Sequence, residues 1–150
     1  MNGTARRLCM VLIGGRWYGL PVERVQEVLR HTGLTSVPLA PPLVAGLLNL
    51  RGQIVEALDP RVPLGLAGKT TERPSVNVIL RTPAGPVSLL ADDIGDVVEV
   101  PEDGAEPPPS TVGDSIRRLI SATCTLEDRL LPVLDVDRVI EGSSERTSGS

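Results

Sequence analysis

Short apolar runs punctuated by glycine, proline and acidic turns run the length of the chain, and that spacing predicts many short strands rather than long helices. Leu8–Ile13 and Arg16–Val22 flank Gly14-Gly15 and predict a hairpin. In PVERVQEVL, residues 21–29, Val22, Val25, Val28 and Leu29 fall at helical spacing behind a proline start. A short helix is expected there, giving way to strand near Glu27. Residues 30–42, with Pro38, Pro41 and Pro42, predict a loop. Strands are expected over 44–50 and 53–59, a connection with one helical turn over 60–74, and strands over 76–81, 87–91 and 97–100. The Pro/Gly/acid-rich stretch 101–115 predicts an exposed loop, followed by strands over 118–125 and 129–134 and a short helix over 136–140. Residues 1–7 read as a loose N-terminal tail and 142–150 as a polar, disordered C-terminal tail.

Many short strands with turns every 8–12 residues suggest small β-barrels. The chain also partly repeats itself. NLRGQIVEALD, residues 49–59, lies over TLEDRLLPVLD, residues 125–135, without a gap. Leu50, Leu58 and Asp59 match Leu126, Leu134 and Asp135 in type, and VQEV at 25–28 lies over VVEV at 97–100. A nearly constant offset points to one unit used twice. Two similar half-domains that swap or share strands around one core are therefore expected. Each half holds only about 70 residues, which is marginal for an independent core.

Residues 44–61, VAGLLNLRGQIVEALDPR, set Arg51-Gly52 between two apolar strands. Glycine tolerates the positive φ that a sharp turn demands. A guanidinium held on such a turn is well placed for recognition, although a lone Arg-Gly also reads as a solvated turn.

Composition narrows the function. Over 150 residues, 41% are apolar and 23% charged, so the chain is globular and about one domain in size. A net charge of −4, one Trp, one Tyr and no Phe argue against nucleic-acid binding. Cys9 and Cys124 sit in apolar runs and read as buried thiols, with no CxxC spacing for zinc. Arg6-Arg7 followed by LCMVLIGG imitates a signal peptide, but no small-residue cleavage site follows. No apolar stretch approaches the roughly 18–20 residues of a membrane helix. A cytoplasmic protein is expected.

Catalytic chemistry finds little support in the residues. Gly68-Lys69-Thr70 imitates the end of a phosphate loop, but Pro63 stands where the first glycine is needed. His31 is the sole histidine, which leaves no Ser-His or Cys-His device. Asp92-Asp93-Ile94-Gly95-Asp96 lacks the spacing of a calcium loop and reads as an acidic turn. Asp135 is placed to cap the last helix. No cofactor, metal site or catalytic residue is expected, and a binding module is favoured over an enzyme. A small metal-dependent hydrolase or ligand-binding barrel using residues 92–96 remains the contrasting possibility.

The pattern as a whole resembles the CheW-like family of bacterial chemosensory adaptors. Four segments carry the resemblance: WYGLPVERVQEVL (17–29), VAGLLNLRGQIVEALDPR (44–61), LADDIGDVVEV (90–100) and DRLLPVLDVDRVI (128–140). It spans residues 8–141. It implies a mainly β fold of two intertwined five-stranded β-barrels with short helices. It also implies a non-enzymatic adaptor that links the cytoplasmic tip of a chemoreceptor to the regulatory domain of a CheA-type histidine kinase, at receptor arrays on the inner membrane. Carried over by position, Arg51 matches the arginine of NLRG implicated in receptor contact. Val25 and Gly46 match neighbouring receptor-side positions, and Glu27 matches the glutamate of VQE. The kinase surface is expected on an apolar barrel end in the second half.

The chain departs from the family pattern at three places. Glu56 stands where the family usually has proline, Pro60 where leucine is frequent, and Asp93 where some members have glycine. Because the chain ends soon after the domain, neither a full kinase nor a receiver-linked adaptor is expected. A scaffold of the same fold in another chemosensory pathway, serving motility or development, is the nearest alternative.

Overall fold

The computed structural model describes residues 5–30, 33–66, 76–101, 106–107, 113–127 and 129–141. His31, the Gly68-Lys69-Thr70 segment and the tail 142–150 lie outside the described residues. Ten strands are described: β1 (Ala5–Ile13), β2 (Arg16–Pro21), β3 (Val25–Arg30), β4 (Val44–Leu50), β5 (Gln53–Leu58), β6 (Val76–Leu80), β7 (Val87–Ala91), β8 (Asp93–Pro101), β9 (Ile120–Leu126) and β10 (Arg129–Leu134). Helix α1 spans Asp114–Arg117, and α2 covers 136–141 of the described residues. Asp135 caps α2 as expected, its Oδ1 accepting the Arg138 N–H at 3.2 Å.

The strands form two five-stranded sheets, ordered β8-β1-β2-β10-β9 and β3-β6-β7-β5-β4. When β1–β5 is laid on β6–β10, the two orders coincide strand for strand. Each repeat gives two strands to one sheet and three to the other, so the halves are intertwined. The parallel joints among the described residues are equivalent too: Val133 beside Gly19, and Ala57 beside Ser88. The hairpins agree residue by residue. Leu50 faces Gln53 as Leu126 faces Arg129, and Asn49 faces Ile54 as Thr125 faces Leu130. Even the exposed apolar side chains correspond, Ile54 at 62% and Leu130 at 61%.

The match of VQEV with VVEV needs correction. The strands β3 and β8 are equivalent, but their pairing with β6 and β1 aligns Val28 with Val97 rather than with Val100. Short strings matched in composition while the ladder set a register three residues away.

Alternation along the strands divides the core into three clusters. Leu8, Val100, Cys124, Leu131 and Val133 fill the first sheet's concave side. Leu48, Leu50, Val55, Ala57, Ile79 and Leu90 fill the second's. Between the sheets lies the largest cluster, including Val11, Ile13, Leu20, Val78, Leu80 and Leu89. One polar pair is buried, the Ser88 hydroxyl donating to Asn77 Oδ1 at 2.9 Å. The two cysteines belong to different clusters and are free. Burial pushes both thiols above their ordinary value.

Three expectations change. No helix forms over 21–29; a 3-10 turn at Val22–Arg24 leads directly into β3. The cause is a bulge between Val25 and Glu27. It puts Val25 and Val28 on the same inter-sheet face, three residues apart, and so imitates helical periodicity. Residues 5–7, expected in the tail, are strand, because Ala5–Arg7 pair with Glu99–Pro101 of β8. The acidic stretch 93–96 is also strand rather than turn, leaving Asp92 alone at the bend.

Leu80 is fully buried between the sheets. Leu80→Ala should cost about 2–5 kcal/mol in urea denaturation, with one transition for both sheets because they share that core. Two separate transitions would contradict the shared core.

Candidate functional site

Arg51 and Gly52 both take positive φ, 50° and 87°, between β4 and β5, as a two-residue mirror-image turn requires. Asn49 Oδ1 accepts the Gly52 N–H at 2.7 Å and closes the turn. The turn aims the Arg51 side chain across the open side of the second sheet, towards the other edge strand, β3. There it meets Glu27 in a two-pronged ion pair. Nη1 donates to Oε1 at 3.1 Å and Nη2 donates to Oε2. Arg51 stays 67% exposed and Glu27 25%. The guanidinium beside Glu27 holds its carboxyl below the usual carboxylate range, and the carboxylate raises Arg51.

On either side of Glu27, Val25 and Val28 face away from this pair and into a groove between the two sheets. Val22, Ile94 and Val97 line the same groove, whose volume is about 580 Å³. Its edges are β3 and β8, which are equivalent strands of the two repeats. A bulge in β8, where Gly95 and Asp96 stand opposite Met10 of β1, sets the Ile94–Val97 spacing, as the β3 bulge sets that of Val25–Val28. Arg30 reaches across to Asp93, 3.4 Å from Nη2 to Oδ1, at the groove's rim.

The four residues singled out by resemblance therefore divide. Arg51 and Glu27 meet. Val25 lies on the neighbouring apolar groove, two residues from Glu27. Gly46 joins neither. It is buried under the 34–35 segment, where an added Cβ would stand 2.8 Å from the Thr35 carbonyl oxygen and 3.1 Å from Leu34 Cβ. Thr35 pairs with Leu47 over it, with both N–H···O distances at 2.8 Å. Its role is close backbone approach, so the expected groove of Val25 with Gly46 is replaced by one of Val25 with Val28, Ile94 and Val97. Sequence reasoning missed the β8 side of that groove; the i, i+3 apolar pairs at both bulges were its only sign.

The acidic stretch serves the fold. Asp92 Oδ2 accepts the Gly14 N–H at 2.8 Å, tying the first hairpin to the β7–β8 bend. Asp93 engages Arg30 and its neighbour's Ile94 N–H. Among the described residues, no three His, Cys, Asp or Glu side chains converge as metal ligands. Nor is any described helix long and apolar enough to cross a membrane.

The arrangement sets a paired arginine, aimed by its turn, beside an apolar groove. A CheW-like domain model matches residues 7–144, and the chain belongs to that family. It is 26% identical to the chemotaxis protein CheW of Rhizobium meliloti over 146 residues, covering 97% of this chain and 94% of that protein. It is 25% identical to CheW of Bacillus subtilis over 145 residues, covering 97% and 93%. The crystal structure of the scaffolding protein TtCheW from Thermoanaerobacter tengcongensis superposes with a TM-score of 0.81 at 21% identity, over 93% of this chain and 90% of that one. The fold is shared with that scaffold.

The depressed Glu27 value fixes the sign of a pH effect. The pair is intact above the ordinary carboxylate pKa and is lost as pH falls through the lower, folded value. NMR titration of the Glu27 carboxyl carbon should show a lower midpoint in the wild type than in Arg51→Ala. Equal midpoints would mean that the ion pair does not persist in solution.

Proposed function

We propose that this CheW-family chain is a chemotaxis adaptor that couples chemoreceptors to a CheA-type histidine kinase, and that it does so without chemistry of its own. Family membership and the curated relatives support the adaptor role. The observation that carries the site is the Arg51–Glu27 pair standing beside the β3–β8 groove. A receptor tip is a helical hairpin, and an amphipathic helix lays its apolar face into a groove of this kind. Val25, Val28, Ile94 and Val97 supply the apolar floor. Arg51, pre-aimed by its turn and by Glu27, keeps free N–H donors for a carboxylate or carbonyl at the groove's end. Gly46 supports this face from below by letting the 34–35 segment pack closely. The kinase regulatory domain takes a different face, the β9–β10 hairpin end, where Leu130 is exposed.

With both faces occupied, the second contact becomes effectively intramolecular, and receptor state biases kinase conformation through the shared scaffold. The adaptor works in the cytoplasm, at receptor arrays beneath the inner membrane.

Arg51→Ala should weaken receptor-tip binding about tenfold or more, with kinase binding and the unfolding midpoint retained. The swapped pair Glu27→Arg/Arg51→Glu separates contact from scaffolding. If Arg51 touches the receptor, the swap restores the pair but not receptor binding. Full recovery in the swap would make the arginine a latch and sink its contact role.

A further inference from the structure

A second site lies on the first sheet, away from the groove and the arginine turn. The strands β2 and β10 pair only at Gly19–Val133. On the N-terminal side of that joint they part, and a cavity of about 670 Å³ fills the split. That size suits a single small organic molecule. Its walls are apolar, from Trp17, Leu64, Leu66, Ile116 and Leu131. Leu64 belongs to the inter-sheet core and Leu131 to the first sheet's interior, so rigid packing backs the walls from two sides.

The polar groups of the cavity are few and of one kind. Arg16 and Arg129, one from each parting strand, line it, and neither forms an ion pair among the described residues. Thr123 also lines it, with the residue only 5% exposed. Its Oγ1 is buried and has no hydrogen-bond partner. The hydroxyl exposes almost no surface to the cavity, so recognition of a charged group falls to the two guanidiniums. Two guanidiniums beside an apolar chamber select an anion with an apolar body. The whole chain carries −4, so long-range attraction does not draw anions here; the preference is local to the two arginines.

We propose that the cavity between β2 and β10 is a binding site for an amphipathic organic monoanion, a carboxylate or sulfonate on an aromatic or aliphatic body. The apolar body fills the chamber against Trp17 and Leu131, and the acid group meets Arg16 and Arg129. This site shares no residue with the groove or the Arg51–Glu27 pair, whereas Arg129 and Leu130 also belong to the β9–β10 hairpin end proposed for the kinase, so the ligand sits beside that face.

The chain reports on its own cavity, because Trp17 is its single tryptophan. Anilinonaphthalene sulfonate, an aromatic monoanion, is titrated into the full chain while Trp17 emission is followed. Saturable one-to-one quenching with energy transfer to the probe is expected. Arg16→Ala/Arg129→Ala should weaken binding about tenfold or more, and the uncharged analogue N-phenylnaphthylamine should bind the wild type weaker by a similar factor. Absence of saturable quenching, equal affinity for the neutral analogue, or an unchanged double-arginine variant would each overturn the proposal.

Discussion

The exchange of strands between the two repeats is the constraint on which the rest of the molecule depends. Neither repeat owns a sheet: β1 and β2 complete the sheet of β8–β10, while β6 and β7 complete that of β3–β5. A unit of about 70 residues is marginal as an independent core. Exchange solves this by making the faces of β1 and β6 bury one another, so Val11, Val78 and Leu80 of both repeats lie in one cluster. It also decides where the edges fall. Equivalent edge strands β3 and β8 come to stand on either side of the crossing, and the groove between them follows from that placement. The groove is thus a product of the topology rather than of any one loop.

Within that frame the arginine turn performs a local task. Glycine at 52 permits the mirror-image turn, and Arg51 accepts a left-handed backbone as well. The corresponding residue of the second hairpin, Glu127, adopts nearly the same φ, 48°, so the backbone geometry is the repeat's own and the side chain is the variable. A glutamate at one turn and an arginine at the other give two like hairpins opposite charge. The same scaffold thereby offers two chemically distinct ends, as an adaptor with two different partners requires.

Much of this was legible in the sequence. The hairpins around Gly14-Gly15 and Arg51-Gly52, the strands 44–50, 76–80 and 129–134, the cap at Asp135 and the repeat 49–59 over 125–135 follow from alternation and turn chemistry alone. What escaped did so for identifiable reasons. The bulge at Gln26 gave a strand the periodicity of a helix, and an alignment of four residues could not fix a ladder register. Pairing partners far along the chain turned residues 5–7 and 93–96 into strand, an effect no local propensity announces. Of the candidate site, Arg51 meets Glu27 and Val25 lines the neighbouring groove. Gly46 does not share their surface, because the close approach of Thr35 is invisible until the 33–43 segment is placed.

The most direct test of the two-faced adaptor is a bridging experiment. An immobilised receptor-tip fragment is exposed to the regulatory domain of the CheA-type kinase from the same genome, with and without this protein. The account predicts kinase retention that depends on the protein and saturates with it, through a three-component complex. Competition between the receptor tip and the kinase domain for the protein, with no three-component complex, would contradict it.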